Sequence, residues 1–437
     1  MFFSERKEFL NFIHKKLNIP AQFVERKLAN ELDNIKNYPL RKKLKYLTNI
    51  TFTERKYLIS ALQNVGGQEV IFNLKQVYPE LAYYLDWDLI KPDNKVPNWI
   101  LEYFKEYNYS KIKHTKSPKI EELINNKNKG KPTFLDWYYS LPNVEMKDGF
   151  KYVWIDGLGA EWFPLLVHLL NEYGKEKKKF VKKKMLMRVN LPSITECNKY
   201  EFEKIEDLDN YIHNQKPYKY PDDLIKEIEL IEKIVKKIVE MPDDKICIVS
   251  DHGFSFLCLK DFGNFKRLNL ENAEHEGRCM WIEGIDYEDD EYFIVWKVDE
   301  GNCRDKKVLV ALKHISLSNT PYREVHGGAT PEEVIVPYIE IETEEYETEY
   351  KIEPASFEVW ISTPVIQFKI YPQPLYTPKA FLNEQPLNML YNKKDGHYRI
   401  DLKGLKVGTY EIVLKIGDKH YQIKVIIKGG FKERDLL

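Results

Sequence analysis

Apolar residues recur at every third or fourth position through much of the first third of the chain. This spacing is clear in segments 9–17 and 57–62, and few strand-like alternations interrupt it. Because side chains three and four positions apart share one face of an α-helix, the pattern predicts amphipathic helices. We therefore expect residues 1–145 to form a helical accessory domain. Its last part, 113–134, is rich in Asn, Gly, Pro and Lys and is typical of a linker.

Near residue 150 the pattern changes to short runs of β-branched and aromatic residues separated by helical stretches. Such alternation is typical of an α/β fold in which helices flank a mainly parallel sheet. One helix is predicted over 222–241, where Ile and Val recur at helical spacing. We expect residues 146–345 to form one catalytic domain. Its predicted strands are 151–156, 185–190, 246–251, 292–298 and 334–341.

After an acidic run at 342–350, the chain turns into short strand-like segments broken by Gly, Pro and Asn. Segments 408–416 and 420–428, joined by Gly-Asp-Lys, predict a β-hairpin. We expect residues 350–430 to form a small β-sandwich of the immunoglobulin-like type. No cluster of chemically active side chains stands out within it.

Charge and cysteine content narrow the class of protein. The 437 residues carry 67 Lys and Arg against 68 Asp and Glu, so the molecule as a whole has no electrostatic attraction to nucleic acid or membranes. A basic run at 41–45 could contact phosphate groups or an acidic partner, although a solvated helix face is the commoner explanation. No apolar run approaches the roughly 20 residues of a membrane helix. Five scattered cysteines favour reduced thiols, and we expect a cytoplasmic protein.

Polar residues at the ends of predicted strands are informative, because open α/β sheets place their sites outside the carboxyl ends of strands. Asp156 follows the first predicted strand and precedes two turn glycines, and adjacent Asp251 and His252 follow the third. Carboxylates and imidazoles are ligands for divalent metal ions. Singly, each has another explanation, since Asp156 can cap a helix and an Asp-His pair is common in loops.

A hydroxyl-bearing segment lies between these two strands. Ser193 and Thr195 stand where a strand ends and a helix is predicted to begin, a position where free backbone N–H groups favour an oxyanion. Asn198, one turn later, could donate a hydrogen bond to a phosphoryl oxygen. Thr195 is the candidate nucleophile, with Ser193 as the alternative. Helix capping would explain one such hydroxyl, but not its place between two ligand-bearing strands.

Two further segments carry candidate ligands. Asp209 and His213 are four residues apart, which places both side chains on one helix face and suits a shared metal ion. His326 precedes two glycines and a predicted strand, although a lone His is more often structural. Glu274, His275 and Arg278 lie between the ligand segments and could line a substrate pocket.

The order of these residues along the chain resembles that of the alkaline phosphatase superfamily. Within the superfamily, segment 192–200 is similar to the nucleophile region of nucleotide pyrophosphatase/phosphodiesterases, but it has Cys197 and Lys199 where those enzymes have Pro and His. The segments DGLG, LPSIT, SDHGFS and HGGATPEEVIVP more closely resemble the PglZ family. PglZ proteins are known from BREX phage-defence systems and from some response regulators. The resemblance implies an alkaline-phosphatase-like sheet flanked by helices, with Thr195 as a covalent nucleophile.

The same resemblance implies two divalent metal ions. Asp209, His213 and His326 would hold one, while Asp156, Asp251, His252 and the Thr195 oxygen would hold the other. Zinc is the first expectation because the ligands mix imidazole with carboxylate, and manganese is the second. A phospho-threonine intermediate would form and then be hydrolysed.

Substrate and role remain open at this stage. No Arg stands beside Thr195 in sequence, which favours phosphodiesters, including nucleotides or oligonucleotides, over dianionic monoesters. A phosphomonoesterase of the same superfamily is one alternative. The other is a scaffold or regulatory component whose metal site has little or no activity. We expect other defence-system proteins as partners and no membrane association.

Overall fold

The fold is taken from a computed structural model. It describes residues 32–430 apart from 64–73, 216, 263–269, 271, 283–286, 300, 319–320, 344–348, 355, 375–376, 393–394 and 418, together with residues 8, 12, 26, 29 and 30. The predicted helical segment 9–17 therefore lies almost wholly outside the described residues. Among the described residues, no helix combines the length and the apolar content that crossing a bilayer requires.

Helices dominate the described part of the chain before residue 145. They are α1 (Leu40–Lys43), α2 (Phe52–Leu62), α3 (Pro79–Tyr84), α4 (Asn98–Lys113), α5 (Pro118–Lys127) and α6 (Lys131–Tyr138). The prediction of a linker at 113–134 is wrong, because α5 and the first half of α6 occupy that stretch. Pro118 stands at the first turn of α5, where its missing N–H costs no hydrogen bond, and Ser117 caps the helix.

A five-stranded sheet follows, in the order β2-β8-β4-β1-β3. Its strands are β1 (Lys151–Ile155), β2 (Lys179–Arg188), β3 (Lys204–Ile205), β4 (Lys245–Val249) and β8 (Ile335–Thr343). β1 pairs in parallel with β3 and β4, whereas β8 lies between β2 and β4 and runs against both. Four of the five strands therefore run in one direction and β8 runs opposite to them, which makes the sheet mixed.

The helices of this region are α7 (Phe163–Gly174), α8 (Thr195–Asn198), α9 (Asp207–His213), α10 (Asp222–Val239) and α11 (Pro331–Val334). The predicted helix at 222–241 is confirmed as α10, whose buried Ile and Val residues recur at helical spacing and which packs against α7. This packing covers part of the sheet, because α7 also contacts β2.

One predicted strand belongs elsewhere. Segment 292–298 does not join the large sheet. It forms β6 (Phe293–Lys297) in a three-stranded antiparallel sheet with β5 (Cys279–Trp281) and β7 (Lys307–Ala311). Phe293 packs in a separate apolar cluster with Met280 and Leu309. This second core explains why segment 292–298 is hydrophobic although it does not belong to the large sheet.

The chain divides into two compact units, Met1–Glu344 and Glu345–Leu437. Within the first unit one hydrophobic core extends from Leu32 to Ile341, so the N-terminal helices share it with the α/β region. The Tyr107 hydroxyl of α4 donates a hydrogen bond to the Phe254 carbonyl at 3.1 Å. The helices before residue 145 are thus part of one unit with the sheet rather than a separate domain.

The second unit is built from two sheets that contribute side chains to one core. One sheet has the order β10-β17-β16-β12-β13 and the other β14-β15-β11-β9. The strands are β9 (Lys351–Glu353), β10 (Ser356–Trp360), β11 (Val365–Tyr371), β12 (Lys379–Leu382), β13 (Gln385–Leu387), β14 (Met389–Asn392), β15 (His397–Asp401), β16 (Gly408–Ile416) and β17 (Lys419–Lys428). The predicted hairpin is confirmed by the antiparallel pairing of β16 with β17.

The cysteines differ from expectation. Cys197 and Cys303 form a disulfide, and only Cys247, Cys258 and Cys279 are free and buried. The expectation of five reduced thiols is therefore wrong. The two partners are 106 residues apart in the chain, so their spacing gave no sign of the pairing.

Candidate metal centre and nucleophile

The topology brings five segments of the first unit to one edge of the large sheet. β1, β3 and β4 are parallel neighbours, so their carboxyl ends meet there. The segments that carry Thr195 and His326 reach the same edge, since one follows β2 and the other precedes β8. Each candidate ligand except His326 follows the carboxyl end of β1, β2, β3 or β4. This arrangement explains why residues far apart in sequence converge.

The close approach of two turns requires glycine. A Cβ on Gly253, after the Asp251-His252 pair, would lie 2.2 Å from the Glu332 carbonyl oxygen and 2.5 Å from the Gly159 Cα. Gly157, directly after Asp156, has a φ of +74° and no room beside the Phe254 ring. The glycines beside the ligands therefore let the loops pack within contact distance.

Thr195 is surrounded by three of the predicted residues. Its hydroxyl donates a hydrogen bond to Asp251 Oδ2 at 2.8 Å and lies 3.4 Å from Asp156 Oδ1 and 3.3 Å from His252 Nε2. Asp156, Asp251 and His252 are all buried. We call these four residues the Thr195 corner.

Burial and mutual charge set the protonation of the Thr195 corner. Burial, with the nearby Asp156 carboxylate, raises the pKa of Asp251 to about 6. Burial would also raise the pKa of Asp156, but His252 and Lys204 lower it to about 2. Burial would lower the pKa of His252, yet Asp251 and Asp156 raise it to about 9. Without a metal ion, the imidazolium of His252 therefore balances the carboxylates.

A second cluster adjoins this corner. His213 Nε2 is 3.2 Å from Asp209 Oδ1 and 3.3 Å from His326 Nε2, and suitable atoms of all three residues lie within 4.8 Å of one another. Asp209 also groups with Asp156 and His252 within the same limit. Burial, with the charges of neighbouring histidines, holds the pKa of His326 well below its usual value. We call Asp209, His213 and His326 the His326 corner.

The ring orientations fit metal binding. His326 Nδ1 lies 3.1 Å from the Ser193 carbonyl oxygen, and His252 Nδ1 lies 3.3 Å from that of Gly253. A carbonyl oxygen only accepts hydrogen bonds, so both Nδ1 atoms carry a proton, and each Nε2 would donate its electron pair toward its cluster once a metal ion takes the place of any proton there. Backbone contacts of this kind fix metal-ligating histidines in many proteins. The mixture of carboxylate oxygen and imidazole nitrogen suits a divalent metal ion.

Two of the predicted site residues make structural hydrogen bonds instead of facing the site. Asn198 accepts a hydrogen bond from the Asn190 backbone and donates to the carbonyls of Asn190, Pro192 and Ile194. Its amide is thereby committed to its own loop, and the expected contact with a phosphoryl oxygen is corrected. Buried Ser193 donates to the Gly328 carbonyl at 2.7 Å, so it links two loops and is not an available second nucleophile.

Of the three residues predicted to line a substrate pocket, only one faces the site. Arg278 is fully buried and forms paired hydrogen bonds to Glu333 at 2.8 and 2.7 Å, so it does not line a pocket. Glu274 is exposed. His275 does face the site, with its ring centroid 4.5 Å from that of His326, and burial lowers its pKa to about 4.

An open pocket of about 250 Å³ adjoins the His326 corner. His213, His275 and His326 line it, together with Arg323 and Glu276. The Arg323 guanidinium donates to the His213 carbonyl and, at 2.8 Å, to Glu276 Oε1. Sequence reasoning missed Arg323 because its neighbours give it no motif; only its place three residues before His326 hinted at the site.

Lys204 was also missed. Its ammonium lies 2.5 Å from Asp156 Oδ2 and 3.1 Å from Glu206 Oε1. β3, which carries it, has only two residues and no hydrophobic run that could have marked a strand.

Comparison with known proteins finds a family model that matches part of this site. No curated protein matches the chain. A solved structure described as "Crystal structure of I9-I11 tandem from titin" matches with 12% identity over 42% of this chain and 68% of that one. Its TM-score of 0.16 is too low to support any conclusion.

Residues 203–341 match the family model described as "BREX system PglZ alkaline phosphatase-like domain". The match includes the His326 corner and the Asp251-His252 pair, while Asp156 and Thr195 precede it. Over residues 203–341 the chain is therefore similar to the alkaline phosphatase-like domain of the PglZ family.

Proposed function

We propose that this protein is a metal-dependent phosphoester hydrolase that acts through a phospho-threonine at Thr195. The observation that carries the proposal is the position of the Thr195 hydroxyl, within 3.4 Å of two carboxylates and an imidazole and beside a second cluster with metal-ligand chemistry. The alkaline phosphatase-like character of the matched family agrees with this chemistry.

The residues would divide between two divalent ions, zinc first and manganese second. Asp209, His213 and His326 would hold one ion. The other would take Asp156, Asp251 and His252, with the Thr195 oxygen. Asp209 is also close enough to Asp156 and His252 to serve both sets. When bound, such ions lower the pKa of a hydroxyl or water and stabilise charge on phosphoryl oxygens.

The protein's own groups supply the remaining chemistry. Thr195 forms a bond to phosphorus as the leaving alcohol departs, and its proton has a path to Asp251, the acceptor of its hydrogen bond. Water then attacks the phospho-threonine, releasing phosphate or a phosphomonoester and restoring the hydroxyl. The pocket beside His275 and Arg323 gives the rest of the substrate room next to the reacting group.

We propose phosphodiesters, including nucleotides or oligonucleotides, as the substrate class. The Thr195 corner carries no arginine among its described contacts, and a dianionic monoester needs more cationic donors than a monoanionic diester. The family description also leads us to propose a role in phage defence alongside other proteins of a BREX-type system, within the cytoplasm.

The direct test is hydrolysis of bis-p-nitrophenyl phosphate and p-nitrophenyl phosphate by purified protein, either metal-free or loaded with zinc or manganese. We expect turnover only with metal, and a faster rate on the diester. Thr195→Ala should lower the rate by at least about 10³-fold. Thr409→Ala, which changes an exposed threonine of the second unit, is the matched control and should leave the rate unchanged. Equal rates in Thr195→Ala and the native protein would refute the proposal.

The alternative role, a defence-complex scaffold with an inactive site, predicts a different result. Partner proteins would then be retained by Thr195→Ala as well as by the native chain, and no metal would produce turnover on either ester.

A further inference from the structure

Lys204 places a positive charge inside a site that otherwise contains acids and imidazoles. Its ammonium lies 2.5 Å from Asp156 Oδ2, while the other oxygen of that carboxylate faces the Thr195 hydroxyl at 3.4 Å. The Lys204 ammonium and the Thr195 hydroxyl therefore contact different oxygens of the same carboxylate, that of Asp156. Among the described residues, the ion pairs of Asp156 and Asp251 include a single lysine or arginine, and it is Lys204.

The side chain is held in place yet remains reachable. Lys204 rests over the Trp154 ring at 4.6 Å, and Glu206 Oε1 lies 3.1 Å from its ammonium. The side chain is 26% exposed, whereas that of Asp156 is 2% exposed. An ammonium has three donor hydrogens, and contacts with Asp156 and Glu206 leave one for a ligand.

Charge balance indicates which ligand this hydrogen suits. Asp156, Asp209, Asp251 and Glu206 would offset four of the five positive charges that two divalent ions and Lys204 would bring. One net positive charge remains. An anionic phosphoryl group, such as that of inorganic phosphate or of a phosphomonoester product, would be attracted to this charge.

We propose that Lys204 donates a hydrogen bond to an anionic phosphoryl group at the Thr195 corner, so that the site holds inorganic phosphate or a phosphomonoester product. The proposal rests on the proposed function and adds to it a donor, the role that Asn198 does not fill.

The test is calorimetric titration of inorganic phosphate into zinc-loaded full-length protein. Lys204→Met should weaken phosphate binding by at least about tenfold, the loss expected for one charge-assisted hydrogen bond. Lys204→Arg should bind with intermediate affinity. Lys245→Met, an exposed lysine at the opposite end of β4, should bind like the native protein. Zinc content should not fall in Lys204→Met, because removing a positive charge does not weaken cation binding electrostatically.

Three results would overturn the proposal. The first is unchanged phosphate affinity in Lys204→Met, and the second is the absence of phosphate binding by the native zinc-loaded protein. The third is loss of zinc from Lys204→Met, which would show that the lysine positions Asp156 instead. Because binding is measured without turnover, phosphate binding that depends on Lys204 in a protein that hydrolyses neither ester would refute the proposed function alone.

Discussion

The imidazole rings of His252 and His326 are stacked, with centroids 3.8 Å apart and planes 4° from parallel. The two residues come from different loops and belong to different corners of the site. Their contact joins the two sets of candidate ligands, and each ring presents its Nε2 to its own set. Two ions bound by these sets would therefore be neighbours, as the two ions are in two-metal hydrolases.

This stacking leads to a prediction about metal stoichiometry. His326→Asn removes one imidazole from the His326 corner but leaves the Thr195 corner intact. We expect the bound zinc to fall from two equivalents to about one, measured by elemental analysis after dialysis, with ester hydrolysis lost. His420→Asn, in the second unit, is the control and should retain both ions. Two retained equivalents in His326→Asn would show that this histidine is not a ligand.

A buried ion pair supports the loop that carries His326. Glu333 accepts hydrogen bonds from Arg278 and from the Gly328 backbone, at 3.0 Å, just beyond His326. Arg278→Met would leave the Glu333 carboxylate buried and unpaired, so we expect a loss of about 3–5 kcal/mol in the free energy of unfolding. Urea denaturation measures this. Lys105→Met breaks an exposed pair with Asp88 and should cost at most about 1 kcal/mol. Similar losses in the two variants would contradict the assignment.

A second buried cluster makes stability depend on pH. The Lys111 ammonium lies within 3.2 Å of Glu161, Glu227 and Glu324, and all four side chains are buried. Burial raises the pKa of Glu227 to about 7 and also raises that of Glu324. A carboxyl group with a higher pKa in the folded state stabilises fully below its unfolded pKa, near 4.5, and loses this contribution as pH rises through about 7.

Glu227→Gln tests this dependence, because it removes one of the three acids around a single ammonium. We expect the free energy of unfolding of the native protein, relative to the variant, to fall between pH 5 and pH 8. Urea titrations at several pH values give the comparison. A difference that stays constant or grows with pH would mean that Glu227 is already ionised in the folded protein at pH 5.

The disulfide ties the segment of Thr195 to the loop between β6 and β7, since Cys197 lies two residues after Thr195 and Cys303 lies in that loop. Closing a loop of this length should stabilise the protein by about 2–5 kcal/mol. A reductant should therefore lower the melting temperature of the native protein but not that of Cys303→Ser. Titration of the unfolded, unreduced protein should find three thiols. A count of five would contradict the pairing.

Much of the site could be predicted because its residues directly follow recognisable strands or, for His326, precede one. Asp156 and Asp251 come after buried runs whose parallel pairing carries them to the same sheet edge. Lys204 could not be predicted, since a two-residue strand leaves no hydrophobic pattern. The predicted contact of Asn198 with a phosphoryl oxygen did not take account of its actual acceptors. These are backbone carbonyls, which sequence patterns do not reveal.

The sequence also did not reveal that the helices before residue 145 belong to the same compact unit as the large sheet. Lys111 reads as one more charged residue of a solvated helix face, yet it is the counter-ion of acids that lie up to 213 positions away, Glu324 being the farthest. Phe293 was assigned to the large sheet because a buried strand looks the same whichever sheet it joins. In both cases the position of the residue is determined by contacts with residues far along the chain rather than by the local sequence pattern.

The central claim is that six carboxylate and imidazole side chains gather two metal ions around Thr195. Anomalous diffraction from crystals of the zinc-loaded protein, collected on both sides of the zinc absorption edge, tests it most directly. We predict two peaks: one bounded by Asp209, His213 and His326, and one bounded by Asp156, Asp251 and His252. The absence of zinc from these positions, in crystals that contain the metal, would contradict the claim.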